Sequence, residues 1–268
     1  MRVKGLVLKG VPACAGLYVA LIAYMVLTAP NAIYRFDAVE PSGPPPAPFE
    51  KVETAAFEGW YATGEAGPVL LMVGNTGRME DGYKRAAPLI EAGHEVLVLS
   101  YPGRDAGNPA PSQDRITRAA LAAHDWLDER GDAAPAVYGM SLGGAVAAVV
   151  AEKREQVPTL VMEAPFTSVY DLAKGMYPFI PPFDVLPANR WRSIDRMSKI
   201  KAPVLVLHGA RDRVIPVSHG HRISDAAQNA RLITYPEGRH WNLGLLGAGE
   251  DVVGFLARDT TPKKEKTP

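Results

Sequence analysis

A mostly parallel β-sheet with helices on both faces is predicted for the body of this chain. Three observations predict it. Apolar runs of strand length recur along the sequence, helical patterns lie between several of them, and the runs are near-continuously apolar instead of alternating. A strand that is apolar on both faces is buried on both, which a sheet lying between two helical layers provides.

The elements follow in chain order. Val11 to Ala29, "VPACAGLYVALIAYMVLTA", carries no charge. As a helix it would rise about 28 Å, close to the thickness of a bilayer core. Arg2, Lys4 and Lys9 precede it without an acidic residue, and Arg35 is the one basic residue close behind it. The positive-inside tendency then keeps the N-terminus cytoplasmic and exports the rest. Residues 1–30 are therefore read as an uncleaved signal anchor, a single-pass transmembrane helix. A cleaved signal and a buried helix of a soluble protein are the competing readings. Cleavage after Ala29 would put Leu27 where a small residue belongs, and cleavage after Ala32 would put Pro30 there. Cys14 does not follow the apolar run, which argues against a lipoprotein signal.

Residues 31–48 contain "EPSGPPPAP", whose prolines favour extended geometry, and read as a stiff linker. The body spans 49–258. Strands are expected at Pro68 to Val73, Val96 to Ser100, Ala136 to Tyr138, Thr159 to Met162, Val204 to Leu207 and Arg231 to Tyr235. Helices are expected at Tyr83 to Glu91, Ile116 to Glu129, Leu142 to Glu155 and Val217 to Ala227. Phe49 to Thr54 and Phe57 to Tyr61 would add an antiparallel pair at one edge. The polar tail 259–268 is expected to be disordered.

Composition narrows the function classes. The chain of 268 residues is 47% hydrophobic and 22% charged, as globular proteins are. Lys plus Arg and Asp plus Glu number 29 each, so the basic excess of a nucleic-acid binder is missing. The one cysteine, Cys14, has no partner for an internal disulfide.

In sheets of this kind reacting groups gather at the carboxyl ends of strands. Ser141 meets that requirement. In "AVYGMSLGGAV" it follows a strand and precedes a helix, and Gly139-Met140-Ser141-Leu142-Gly143 reads as G-x-S-x-G, a nucleophile elbow. A serine hydroxyl needs a general base. His94 opens a strand, His124 lies in a helix and His208 ends a strand, all structural positions, while His219 and His221 open a helix and are expected to be solvated. His240, in "YPEGRHWN", sits in a glycine-bearing loop after the last strand and is the expected base. Asp212, in "LVLHGARDRVIP", follows a strand by a short loop and is the expected acid, the competing reading being a cap or a pair with Arg211 or Arg213. Glu163 is the runner-up, with neighbours that suit a packing and loop-anchoring role.

With these residues in the order serine, acid, base, the sequence resembles the α/β-hydrolase superfamily through "GMSLGG", "HGARDRVIP" and "GRHWN". More narrowly it resembles the membrane-anchored hydrolases related to the yeast bud-emergence protein and its animal α/β-hydrolase-domain relatives. The stretches that carry this likeness are "VGNTGRMEDG", "SYPGRDAGNPAPS", "EAPFTSVYDLA" and "IKAPVLVLHGARDRVIP", within Phe49 to Ala257. The resemblance implies the α/β-hydrolase fold and a serine hydrolase acting on esters, thioesters or amides without metal or organic cofactor. It also implies an oxyanion hole at the N–H groups of Asn75 and Leu142, with Thr76 a register-shifted alternative. Where the family usually has His-Gly before that loop, this chain has Val73-Gly74.

The segment 166–200 is aromatic and proline-rich and reads either as a small lid or as an ordinary long crossover. As a lid, Tyr177, Phe179, Ile180 and Phe183 would line an acyl pocket, which bulky Trp241 beside His240 would narrow. The leading expectation is an extracytoplasmic, membrane-anchored esterase or thioesterase acting on a small or lipid-like ester. A peptidase or acyl-peptide hydrolase ranks second, since no propeller or gating module is recognisable, and a catalytically silent scaffold is the rival from another class.

Overall fold

The computed structural model describes residues 3–36, 43–103, 110–177, 179 and 189–258. Eight strands form one sheet: β1 (Glu50–Glu53), β2 (Glu58–Ala62), β3 (Ala66–Met72), β4 (His94–Ser100), β5 (Ala136–Met140), β6 (Leu160–Glu163), β7 (Val204–Gly209) and β8 (Ala230–Tyr235). Their spatial order is β1-β2-β4-β3-β5-β6-β7-β8. β1 and β2 are antiparallel, β2 meets β4 antiparallel, and every pairing from there to β8 is parallel. The expected edge pair and the expected parallel body are both present.

The helices are α1 (Val3–Ile33), α2 (Met79–Glu91), α3 (Gln113–Asp128), α4 (Leu142–Lys153), α5 (Val169–Met176), α6 (Ile194–Met197), α7 (Val217–Ala226) and α8 (Ala248–Arg258). α3 starts where Ser112 Oγ accepts the Arg115 N–H, and α5 where Ser168 Oγ accepts the Asp171 N–H. Each such cap satisfies a donor that has no intrahelical partner. α4 lies in the centre of the molecule and is buried from Leu142 through Ala151. Its glycines, alanines and valines let it sit close to the sheet, where longer side chains would hold it away.

The core is made by the sheet itself. Leu70, Leu71, Met72, Leu97, Val98, Leu99, Val137 and Val206 are fully buried. That burial on both strand faces is what their unbroken apolar runs encode.

The N-terminal helix differs from expectation in extent. It runs unbroken over 31 residues instead of covering Val11 to Ala29 alone. Cys14–Ile33 is the stretch long and apolar enough to cross a membrane, and it is not buried in the protein as the core helix of a soluble protein would be. The chain that follows is not a free spacer at its start, because Tyr34 and Phe36 are buried in the core. Residues 37–42 of the expected linker and the tail 259–268 lie outside the described residues.

Candidate active site

Ser141 stands between β5 and α4 with φ 53° and ψ −115°. A positive φ is strained for a residue with a Cβ, typically by about 1–3 kcal/mol, and is retained where neighbours enforce it. The enforcement is visible in the flanking glycines. A Cβ at Gly139 would stand 2.0 Å from the Gly143 carbonyl oxygen, and one at Gly143 would stand 2.1 Å from that of Met72. The Ser141 N–H donates to the Glu163 carbonyl at 2.8 Å, tying the turn to the end of β6. The spacing G-x-S-x-G is thus dictated by clearance.

His240 and Asp212 come together from the loops after β8 and β7. His240 Nδ1 lies 2.7 Å from Asp212 Oδ2. The other carboxylate oxygen, Oδ1, accepts the N–H groups of Val214 and Ile215, each at 2.8 Å. Burial opposes ionisation of Asp212, but the His240 hydrogen bond and the two backbone donors hold its carboxyl below the usual carboxylate range. An ionised carboxylate only accepts, so His240 Nδ1 is the donor and Nε2 is left as the basic nitrogen. Asp212 is thereby engaged with His240 and not with a neighbouring arginine, and Arg211 pairs instead with Glu237. Ser141, Asp212 and His240 are all buried.

Ser141 and His240 line one cavity of about 720 Å³ with Asn75, Thr76, Leu142, Tyr177, Phe179 and Trp241. Leu142 is the first residue of α4, where N–H groups lack intrahelical acceptors and the helix dipole is positive. The facing loop approaches closely enough that a Cβ at Gly74 would stand 3.8 Å from Ser141 Cβ. That loop keeps its support despite the Val73 departure. Tyr101 donates its hydroxyl to the Val73 carbonyl at 2.7 Å, Gly77 N–H closes a turn onto Gly74 at 3.0 Å, and Arg35 N–H donates to the Asn75 carbonyl at 2.8 Å. The Trp241 ring meets His240 edge-on, with centroids 4.4 Å apart at 89°. Ile180 and Phe183 lie outside the described residues.

Glu163 is engaged elsewhere. Its carboxylate accepts two hydrogen bonds from Arg85, at 2.7 and 2.8 Å, and one from the Tyr138 hydroxyl at 2.6 Å. Burial works against its charge, yet Arg85 and Tyr138 hold it below the ordinary range, so it is a buried structural anion beneath the elbow. His208 is also structural, with Nε2 donating to the Ile215 carbonyl at 2.8 Å and burial pushing its titration down.

Two expectations need correction or extension. His219 is not solvated. It is buried, 2.9 Å from the Thr167 hydroxyl, because α7 packs under the segment that begins α5. The cavity has a wall that the sequence reading did not assign, since Leu21, Met25, Thr28, Ala29 and Ala32 of α1 line it, as do Val214 and Ile215. Their helical spacing was present in the sequence, but a uniformly apolar run shows no distinct face. Among the described residues no cluster of acidic, histidine or cysteine side chains of metal-site type occurs.

Known proteins share this family and fold. A model of the prolyl oligopeptidase family matches residues 105–245. An uncharacterized protein of Mycobacterium tuberculosis is 35% identical over 197 residues, which cover 70% of this chain and 69% of that protein. The lysophosphatidylserine lipase ABHD12 of Danio rerio is 30% identical over 162 residues, 54% of this chain but 42% of its own length. Among solved structures, Est1E from Butyrivibrio proteoclasticus with bound ferulic acid shares the fold, with a TM-score of 0.64 at 17% identity over 78% of this chain and 98% of that one. With more than half of its length matched by the family model and the sheet and nucleophile-elbow turn of the fold in place, the chain belongs to the prolyl oligopeptidase family of α/β-hydrolases.

Proposed function

We propose that this protein is a membrane-anchored serine hydrolase that cleaves carboxylic esters or thioesters of an acyl lipid. The single observation that carries the reading is the pairing of His240 with Asp212 at 2.7 Å beside a cavity that His240 lines together with Ser141 at a strained elbow. In this reading His240 Nε2 takes the proton of Ser141 Oγ as that oxygen attacks the substrate carbonyl. Asp212 fixes the imidazole tautomer and stabilises the imidazolium. The tetrahedral oxyanion is held by the N–H groups of Asn75 and Leu142, each such donor being worth about 3–4 kcal/mol in the transition state. His240 then protonates the leaving oxygen or sulfur. A water attacks the acyl-enzyme with His240 again as base, and Ser141 is released with the free acid.

The chemistry of the walls supports an apolar acyl group. The cavity is lined mainly by aliphatic and aromatic side chains, and Arg35 is its only charged lining residue among those described. A second cavity of about 550 Å³ shares Thr76 and Trp241 with it and is lined by Arg78, Asp81, Lys84 and the Arg85–Glu163 pair. An amphiphilic ester fits such a pair of compartments, its chain in the first and its polar leaving group in the second. The lipase among the relatives supports the same substrate class. The apolar helix over Cys14–Ile33 supports anchoring in a membrane, with the N-terminus cytoplasmic by the charge of Arg2, Lys4 and Lys9. That Val169, Leu172 and Met176 of α5 line the cavity supports a lid role for the described part of the 166–200 segment.

Amide cleavage is the second reading, favoured by the peptidase family to which the model match belongs. Labelling of the purified protein with a fluorophosphonate, followed by matched acyl 4-nitrophenyl esters and 4-nitroanilides, tests both. Labelling and ester turnover in the wild type, both lost in Ser141→Ala, are expected. A folded wild type that takes no label sinks the hydrolase reading, and anilide turnover exceeding ester turnover replaces it with the peptidase.

A further inference from the structure

An anchor that merely retained the protein would need few contacts with the catalytic body. The segment directly after α1, Tyr34 to Phe36, has several. Tyr34 is buried, its hydroxyl donating to Asn189 Oδ1 at 2.8 Å and accepting the Trp191 indole N–H at 3.0 Å. Phe36 is buried and stacked on Tyr101 with ring centroids 5.9 Å apart. Between them, the Arg35 N–H holds the Asn75 carbonyl. Further up the helix, Tyr18 donates its hydroxyl to the Phe179 carbonyl at 3.0 Å. The helix is therefore tied to the body directly after its C-terminal end and touches the 166–200 segment at one further point, Phe179.

The helix also has a definite inner face. Leu21, Met25, Thr28, Ala29 and Ala32 follow the three- and four-residue spacing of one stripe and line the cavity that holds Ser141, with Tyr24 and Val26 on its flanks. Leu27 points away from this stripe and is 79% exposed. Val169, Leu172, Ala173 and Met176 of α5 line the same cavity. Small side chains at Ala29 and Ala32 leave room where a larger residue would fill the slot.

We propose that α1 is one wall of the acyl-binding site, and that Ala29 and Ala32 set the length of chain that Ser141 accepts. This rests on the acyl-hydrolase reading. The chain of the substrate lies between α1 and α5, so the anchor helix is a specificity element as well as a tether.

The test uses the full chain in nanodiscs and compares wild type, Ala29→Trp and Leu27→Trp. The quantity read is the ratio of kcat/KM for dodecanoyl over butanoyl 4-nitrophenyl esters. In Ala29→Trp the ratio falls at least about tenfold, mainly through KM, as expected when methylenes lose their pocket. In Leu27→Trp it stays at the wild-type value. Equal ratios in all three proteins overturn the proposal. Should Ala29→Trp fail to fold by circular dichroism, Ala29→Leu replaces it, with a smaller shift in the same direction expected and an unchanged ratio again overturning the idea. Fluorophosphonate labelling of the same samples separates the two readings. An unlabelled wild type removes the hydrolase itself, whereas a labelled wild type with unchanged ratios removes only the role of α1.

Discussion

Replacing Asp212 by asparagine exchanges one oxygen for an NH₂ group and reverses the hydrogen bond on which the proposed mechanism depends. The amide oxygen can still accept the Val214 and Ile215 N–H groups now held at 2.8 Å, so the loop keeps both contacts. The NH₂ group then faces His240 Nδ1 at the present 2.7 Å contact. Two donors cannot share it, so the imidazole moves its proton to Nε2. In that tautomer Nε2 no longer accepts the Ser141 proton. Loss of the carboxylate that stabilises the imidazolium adds to the effect, and a fall in kcat of about 10⁴ is expected. This corresponds to about 5.4 kcal/mol of transition-state free energy. Stability should fall far less. One charged hydrogen bond becomes neutral at nearly constant volume, a change of about 1–2 kcal/mol. The assay is single-turnover acylation by a 4-nitrophenyl ester with a parallel thermal melt. A variant that melts like wild type and acylates within tenfold of it would refute the assignment of Asp212 as the carboxylate partner of His240.

Gly143→Ala places a methyl group 2.1 Å from the Met72 carbonyl oxygen, backbone against backbone, so α4 must withdraw from β3. Acylation is expected to fall at least about a hundredfold, as for loss of one oxyanion donor, because the Leu142 N–H moves with the helix; wild-type acylation would show that the spacing is not required. Glu163→Gln leaves the Arg85 guanidinium buried without its counter-ion and should cost about 3 kcal/mol, read as a melting temperature lower by roughly 6–12 °C. The pH dependence has a definite sign. The Glu163 carboxyl titrates below its ordinary range when folded, so its contribution is complete above the unfolded value of about 4.3 and is lost as pH falls through the lower folded value. The melting difference between wild type and Glu163→Gln should therefore be constant near neutrality and shrink below about pH 4.3. A difference that widens on acidification would contradict the pairing.

Much of this was legible in the sequence, for reasons that differ between residues. The parallel strands announced themselves because burial on both faces requires an unbroken apolar run, as in Val69 to Val73. The elbow was legible because only glycine clears the contacts at positions 139 and 143. That Asp212 and His240 come together was legible from their positions after strands, since the fold delivers loop residues from β7 and β8 to one place. His219 misled because its neighbours in "PVSHGHR" are those of an exposed helix start, and its burial comes from Thr167, far away in the chain. α8 went unassigned because its start, "GAGED", combines glycines with acids that read as a loop, although Glu250 and Asp251 suit a helix N-terminus. The inner face of α1 was illegible for a more basic reason. A helix meeting lipid on one side and a lipid-binding slot on the other is apolar all round, and its pattern carries no information about which side is which.

Position along the helix shows how one helix can serve both purposes. At 1.5 Å per residue the 31 residues of α1 extend about 46 Å, whereas a hydrocarbon core is about 30 Å thick. Roughly ten residues are then surplus to crossing. The stretch that lines the cavity, Leu21 to Ile33, lies at the end joined to the body through Tyr34 and Phe36. The surplus lies at the charged N-terminal end, with Lys4 and Lys9, so under the proposed anchoring Cys14–Ile33 makes the crossing and the slot lies on its C-terminal half, where the helix leaves the membrane. Met176, Tyr177, Phe179, Val214 and Trp241 all line that cavity and stay substantially exposed in the protein. Apolar side chains of this size around an opening beside a membrane helix are matched to lipid better than to water. An acyl chain moving from the bilayer to Ser141 along α1 would then keep apolar surroundings throughout, and its transfer into the cavity would carry little desolvation gain. Binding selectivity would come instead from the fit of the slot, which is why the volume at Ala29 and Ala32, and not general hydrophobicity, should decide which chain is cleaved.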